Sequence, residues 1–319
     1  MRQGAGRSML REPEHAPVLV ERVVSFLKLA GVLGNGKILD CTLGLGGYSE
    51  KILRTFSEAQ VYALDRDPWA VNISKARLVG YGSRFRAFRV NFGAMEELLA
   101  KDAPFDAFLF DLGVSNMQLV DGERGFSFQN DGPLDMRMDP SEGTTAAELL
   151  AGLSAEELAE IFWLYGEERH SRRIAAGIAE RRKWKGPPRT TGELAGLIRE
   201  ILPAPAQRKM GGHPARRVFQ ALRIYVNDEI GELEAGLASA ARLASPRGTV
   251  AVVSYHSLED RIVKHTFRAW EKEKGGEALT RRPILPSPEE IEANFKARSA
   301  KLRVFRFSRP AMSMKTTGR

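Results

Sequence analysis

The sequence predicts an α/β fold: a doubly wound, mostly parallel sheet interrupted by an all-helical insertion. Three observations predict it. Four short apolar runs, each leading toward a helical pattern or a structured loop, follow one another between Lys37 and Asp111. The first opens into a glycine-rich turn, Gly44-Leu45-Gly46-Gly47. From Thr144 the apolar spacing becomes helical, and strand-like residues return only at Thr249. Repeated strand–helix steps favour a right-handed, mostly parallel sheet.

In chain order, residues 1–11 are expected to be disordered. Pro17 to Leu29 has helical spacing and stops near Gly31 and Gly34. Lys37-Ile38-Leu39-Asp40 reads as the first strand. It runs into Cys41-Thr42-Leu43-Gly44-Leu45-Gly46-Gly47-Tyr48-Ser49, with a helix resuming at Ser49. Strand, glycine turn and helix suit a nucleotide-containing cofactor, because glycine lets backbone approach the ligand and a helix start offers free N–H groups. The second strand, Val61 to Leu64, delivers Asp65, an acid about 20 residues past the loop, where ribose hydroxyls are commonly held. Asp67 reads as the cap of the next helix, with Pro68 in its first turn.

Phe85 to Val90 is a third strand, ending at Asn91-Phe92, and Met95 to Ala100 a helix. Phe105 to Asp111 is the fourth strand, again ending on a carboxylate. The insertion spans 135–212. Thr145-Ala146-Ala147-Glu148, Ser154-Ala155-Glu156-Glu157 and Thr190-Thr191-Gly192-Glu193 fit capping boxes there, and Arg172 to Lys185 is a basic helix closed by Gly186-Pro187-Pro188. Pro214 to Ala244 reads as one long amphipathic helix. Thr249 to Ser254 is a fifth strand opening into Tyr255-His256-Ser257-Leu258-Glu259-Asp260-Arg261. Late strands are expected at Leu279 to Leu285 and Ala300 to Phe307, with a helix capped by Ser287 between them.

The net charge of +8 is clustered. Arg169 to Arg189 carries eight Lys/Arg against one Glu, 207–223 five and no acid, and Arg281 to Arg319 ten against three. Three such clusters point to a nucleic-acid partner. The single cysteine, Cys41, excludes an internal disulfide and a cysteine-cluster zinc site. The five histidines are scattered, and no metal site is expected. No signal peptide or membrane span is evident. The expectation is a soluble, cytoplasmic protein.

The turn lacks the third glycine of a dinucleotide fingerprint and any P-loop lysine. Asp40, followed by Thr42, Gly44 and Gly46, suits the acid-led loop of S-adenosylmethionine enzymes instead. The runs DCTLGLGGYS, ALDRDP, DLGVSNMQL, RGFSF, GPLDMRMD, SYHSLEDRIVK and ARSAKLRV, in that order, resemble the RsmH (MraW) family over about His15 to Arg306. Asn116, Val120 and Tyr48 stand where the family often has Ser, Asp and His.

The resemblance implies a class I (Rossmann-like) S-adenosylmethionine methyltransferase sheet with an inserted all-helical domain. It implies a methyltransferase domain over 12–134 and 213–319, the latter with a basic tail, and a substrate-recognition domain over 135–212. The implied reaction is methylation of the N4 amine of a cytosine in the decoding region of 16S ribosomal RNA. The implied partner is small-subunit RNA, free or assembled into the 30S subunit, and neither membrane nor DNA is expected. By position, S-adenosyl-L-methionine contacts fall on Gly46, Gly47, Tyr48, Asp65, Phe92, Asp111 and Gln118.

The usual proline pair of amino-methyltransferases is missing at Asp111-Leu112-Gly113-Val114. Asp111 is therefore the expected catalytic acceptor for N4. Phe126 or Phe128 is expected to stack on the base. Arg172, Arg173, Arg298 and Lys301, with Arg181, Arg182 and Arg303, are expected to hold phosphates. His256 is open between a local hydrogen bond and a catalytic role. Two other readings compete: a methyltransferase acting on DNA or protein, and an RNA-binding assembly factor with a vestigial pocket.

Overall fold

The structure, a computed structural model, describes residues 17–29, 31, 32 and 34–308. The expected disorder of 1–11 and the end of the basic tail lie outside the described residues. The first half alternates strictly: α1 (Val20–Leu29), β1 (Lys37–Asp40), α2 (Gly47–Thr55), β2 (Gln60–Asp65), α3 (Pro68–Arg77), β3 (Phe85–Arg89), α4 (Met95–Leu99), β4 (Phe105–Asp111) and the short α5 (Asn116–Val120). Helices alone follow: α6 (Ala146–Gly152), α7 (Ala155–Leu164), α8 (Ser171–Lys185), α9 (Thr191–Ile201), α10 (Ala204–Lys209), α11 (Arg216–Val226) and α12 (Glu229–Leu243). The sheet resumes with β5 (Ala244–Ser254), α13 (Ser257–Glu273), β6 (Gly276–Ala278), α14 (Pro288–Ala293) and β7 (Lys301–Phe307).

The seven strands lie in the order β3-β2-β1-β4-β5-β7-β6. The first five pair in parallel, and β7 runs antiparallel between β5 and β6. This is the expected class I methyltransferase sheet. Its central strands β1, β2, β4 and β5 carry apolar runs because both faces are covered. Ile38 and Leu109 enter one core, with α1 and α2; Leu39, Phe108 and Phe110 enter the other, with α12 and α13. Chain direction across the sheet reverses between β1 and β4, so the crevice at their carboxyl ends is where a ligand fits.

A third core belongs to the helices. Leu150, Leu158, Phe162, Ile174, Ile178, Leu194 and Ile198 are fully buried in it. It also takes in Phe126 and Leu134 at one end and Val218, Phe219 and Leu222 of α11 at the other. The helical unit therefore reaches past the expected limits of 135 and 212 in both directions. The capping boxes at Thr145 and Ser154 and the cap at Ser287 form as the spacing predicts, whereas at Thr190 only half the box forms, because the Glu193 carboxylate accepts from the Arg189 N–H instead.

Two elements differ from expectation. The helix expected over Pro214 to Ala244 breaks at Asn227 and Asp228, the latter at φ +47°. Asn227 is buried, and its side chain leaves the helix to serve a neighbouring loop. It accepts from the Met138 N–H (2.8 Å) and donates to the carbonyls of Met136 (2.7 Å) and Arg223 (2.9 Å). The strand expected at Leu279 to Leu285 is reduced to β6 and isolated bonds from Leu279 and Ile284 to β7. Pro283 and Pro286 supply no N–H to continue a ladder there.

Asn227→Ala is expected to lower the unfolding free energy by about 2–3 kcal/mol, because it strands buried partners on both sides of the break. Urea unfolding checks this, and a change within 0.5 kcal/mol, about what an ordinary surface substitution does, would contradict it.

Candidate active site

The crevice at the carboxyl ends of β1, β2, β4 and β5 holds a cavity of about 530 Å³, within the usual range for a small-molecule site. Two carboxylates delivered by strands, Asp65 and Asp111, line it, and a third, Asp40, is buried close enough for its charge to act on both. Asp40 is fully buried at the end of β1. It accepts from Ser49 Oγ (2.7 Å) and from the Thr42 N–H (3.3 Å), which folds the glycine turn back onto its own strand. Asp65, at the end of β2, accepts from the N–H groups of Gly44 (2.8 Å) and Asp67 (2.9 Å). Asp111, at the end of β4, accepts from the Tyr255 hydroxyl (2.8 Å), and its own N–H donates to Thr42 Oγ1 (2.6 Å).

Burial pushes Asp40 and Asp65 up to about 6 and Asp111 up to about 7. The nearby charges of Asp40 and Glu259 add to the effect on Asp111, and the Tyr255 hydrogen bond opposes it. Desolvation is the main cause in each; the cavity wall itself mixes acids (Asp65, Asp111, Glu229, Glu232 and Glu259) with arginines (Arg66, Arg216, Arg223 and Arg298), so it can meet a ligand that carries both signs of charge.

Among the residues expected to meet a cofactor, Asp65, Phe92, Asp111 and Gln118 line this cavity, together with Gly44. Phe92 stands edge-on to Phe110, with ring centroids 5.5 Å apart. Gly236 of α12 makes room for it: a Cβ there would lie 2.6 Å from the Phe92 ring. Gln118 is buried with both ends engaged. Its Oε1 accepts from the Ser115 N–H (3.0 Å), and its Nε2 donates to Asp67 Oδ2 (3.0 Å).

Gly46, Gly47 and Tyr48 differ from expectation. Gly46 sits at φ +80°, and a Cβ on it would come 3.0 Å from Leu78 Cδ1. A Cβ on Gly47 would meet the Pro17 ring at 2.6 Å. Both glycines therefore let protein side chains approach the start of α2, and Gly47 and Tyr48 line a neighbouring cavity rather than this one. The Tyr48 ring is buried, and its hydroxyl donates to the Val18 carbonyl.

Asp67 does more than cap α3. One oxygen accepts from the Trp69 N–H (3.0 Å); the other accepts from Gln118 and from Arg124 Nη1 (3.0 Å). Arg124 Nη2 continues to the carbonyls of Arg137 (3.2 Å) and Met138 (2.9 Å), so this strap joins β2, the loop after β4 and the entry to the helices.

A second, larger cavity adjoins the first between the sheet and the helical unit. Thr42, Gly44, Asp111, Ser115, Arg216 and Arg223 line both. Phe126 and Phe128 line the second. Phe126 is largely inside the helical core. Phe128 already stacks on His213 (4.2 Å between centroids) and meets Phe219 edge-on, which leaves less ring for a base than expected.

The expected phosphate-holding cations divide. Arg172 and Arg173 are exposed on α8, where Arg173 Nε donates to the Ile201 carbonyl (3.0 Å), and Arg298 is exposed beside the first cavity. Arg181, Arg182, Lys301 and Arg303 are engaged internally. Arg181 is buried, donates to the Gly186 carbonyl and pairs with Glu193; Arg182 closes the end of α6 through the carbonyls of Leu150, Ala151 and Leu153. Lys301 and Arg303 converge on Asp260 at 3.7 and 2.7 Å, because antiparallel β7 lays them over α13. His256 caps α13 by accepting from the Glu259 N–H through Nδ1 (3.4 Å).

Residues that sequence reasoning missed complete the wall: Tyr255 and Glu259 after β5, and Arg223 and Glu229 flanking the α11–α12 break. Oxygen and nitrogen atoms of Glu229, His256 and Glu259 lie within 4.8 Å of one another, close enough to share a metal ion. Glu229, however, is held by both Nε and Nη2 of Arg223 (2.7 and 2.9 Å), so the chain supplies its own cation there.

Residues 12–308 match the family model described as the MraW methylase family. The chain is 44% identical over 309 residues to the ribosomal RNA small subunit methyltransferase H of Brevibacillus brevis, covering 91% of this chain and 96% of that one. It is 48% identical over 295 residues to the protein of that name from a Cyanothece species, covering 92% and 95%. It is 43% identical to that of Acidothermus cellulolyticus over 305 residues, covering 91% and 92%.

The raised Asp111 carboxyl has a consequence for stability. A carboxyl that titrates higher in the folded than in the unfolded chain contributes stability below its unfolded value near 3.8, and that contribution is lost as pH rises through about 7. Asp111→Asn removes the ionisation while keeping the shape. It is expected to melt a few degrees above wild type at pH 8, with no difference at pH 3, below the unfolded value. Thermal unfolding at the two pH values checks this.

Proposed function

The chain belongs to the MraW methylase family, and from that premise we propose that it methylates the exocyclic N4 amine of a cytosine in the decoding region of 16S ribosomal RNA. It is an S-adenosylmethionine-dependent methyltransferase. The proposed substrate is small-subunit RNA, free or assembled into the 30S subunit, in the cytoplasm; DNA and membrane are not proposed partners. Among the described residues no helix is long and apolar enough to cross a membrane.

One observation carries the reading: Asp111 stands in the wall shared by two cavities, with cofactor-type residues in one and aromatic and basic residues in the other. The first cavity fits S-adenosylmethionine on its own chemistry. Its wall offers acids and arginines to a ligand of mixed charge, Asp65 retains acceptor capacity for ribose hydroxyls, and Phe92 offers an apolar ring edge for adenine. When bound, S-adenosylmethionine supplies an electrophilic sulfonium methyl.

The residues of the chain then have an orienting task. A cytosine N4 lone pair is delocalised into the ring, so the free amine is a weak nucleophile. An acceptor on its N–H favours a more tetrahedral nitrogen with its lone pair turned outward. Asp111 supplies that acceptor. Tyr255 holds Oδ1, which leaves Oδ2 for the base. Methyl transfer to N4 makes the nitrogen cationic, and its proton passes to Oδ2. A carboxyl pushed up to about 7 suits that transfer at neutral pH. Placement and electrostatics dominate the rate. The cytosine must leave its stack, at the least cost in unpaired RNA.

Nucleoside mass spectrometry of small-subunit RNA from cells lacking the protein is expected to lose N4-methylcytosine, and an unchanged signal would refute the assignment. Asp111→Asn and Asp111→Ala are expected to lower single-turnover methyl transfer by about 10²–10³-fold. Calorimetry should find cofactor affinity reduced far less than methyl transfer, since Asp65, Phe92 and the other cavity contacts remain.

A further inference from the structure

Cytosine presents one donor, the N4 amine, beside two acceptors, N3 and O2. Asp111 matches the donor. Reading the acceptors requires a fixed N–H donor on the same cavity wall, and one side chain has the necessary features. Arg223, near the end of α11, lines both cavities, as Asp111 does. Its side chain is 16% exposed and that of its partner Glu229 is 11% exposed. Glu229 takes Nε and Nη2 of the guanidinium, and among the described residues nothing accepts from Nη1.

The planar fork is thereby oriented with one amino group unspent, and a guanidinium so held loses little freedom when it binds. Asp111, in the same two cavity walls, is held in turn. Glu259 accepts from the Tyr255 N–H (2.7 Å), and the Tyr255 hydroxyl holds Asp111. The Glu259 charge is felt by both Asp111 and Arg223. The Arg223 carbonyl is tied to Asn227, which fixes the last turn of α11. An ion pair this buried is a weak source of stability, since desolvation offsets much of its attraction.

We propose that Arg223 is the residue that reads the base: Nη1 donates to the N3 and O2 edge of the target cytosine while Asp111 accepts from N4, and Glu229 is the positioning residue that aims the guanidinium. This rests on the methyl-transfer reading above. It accounts for the choice of cytosine over uracil. Uracil would set its O4 against the Asp111 carboxylate and its N3–H against the guanidinium, so both contacts become repulsive. A site built to pair polar groups rejects a partner that leaves them unpaired. Because α11 packs in the helical core, the same contact joins the RNA-facing helices to the reaction centre.

The test uses the double variant Arg223→Gln/Glu229→Gln, which removes both charges but keeps a hydrogen-bonding pair. The readouts are methyl transfer to small-subunit RNA and S-adenosylmethionine affinity by calorimetry. A second RNA carries 2-thiocytosine at the target, which weakens the acceptor at C2. The expected result is a loss of roughly 100-fold or more in kcat/KM for RNA, with cofactor affinity within about threefold. Wild type should discriminate against the thio substrate, and the variant should not. Activity within threefold of wild type would overturn the proposal. So would a parallel loss of cofactor binding, which would assign Nη1 to the cofactor, or thio discrimination that survives in the variant. The wild-type product is analysed for N4-methylcytosine in the same assay; its absence would fault the assignment of the methylated atom, a result separate from the variant comparison.

Discussion

Three carboxylates buried at the ends of three neighbouring strands are the constraint around which this molecule is arranged. Asp40, Asp65 and Asp111 could be dispersed in solvent at almost no cost. Gathered in one crevice, they are pushed up to between about 6 and about 7. Ser49, Thr42, Gly44, Asp67 and Tyr255 donate to them and limit the cost. Those donors also fix the backbone of the glycine turn and the register of the loop beyond β4. The acids and arginines of the cavity wall complement the mixed charges of the cofactor, so the groups that organise the crevice also serve its selectivity.

The second requirement is that the helical unit be held at this crevice. Two straps do so. Arg124 links Asp67 to the carbonyls of residues 137 and 138, and Asn227 links the same loop to α11 while its carbonyl accepts from Arg66 (2.9 Å). Arg89 adds a third tie, from the end of β3 to Asp139 (2.6 Å). These contacts bring Arg223 and the second cavity against Asp111. The Asn227–Asp228 break, which looks like a defect in an amphipathic helix, permits the Arg223–Glu229 pair to form across it.

Much of this was legible in the sequence. A parallel strand covered on both faces is a short apolar run ending where polar residues begin, so Asp40, Asp65 and Asp111 announced themselves. Capping boxes marked helix starts at Thr145, Ser154 and Ser287. The remainder depends on tertiary pairing, which leaves no local signature. Lys301, Arg181 and Arg182 carry the same charge whether they meet phosphate or an internal partner. Tyr255, Glu259 and Arg223 stood in stretches read as a strand end, a helix start and a basic face; only the packing of β5 beside β4, and of α11 against the sheet, assembles them. The glycines at 46 and 47 were read as room for a ligand; their close approach to Leu78 and Pro17 is tertiary and leaves no local signature.

The central claim is that ionised Asp111 receives the proton of the reacting amine. The most direct test is the pH dependence of kcat/KM, which reports groups on the free enzyme. Because the carboxylate is the active form, activity should fall as pH drops through about 7. The residual activity of Asp111→Asn should lack that limb and keep only the break near 6 expected from Asp40 and Asp65. A wild-type profile flat across that range, or a limb near 7 that survives in Asp111→Asn, would contradict the account.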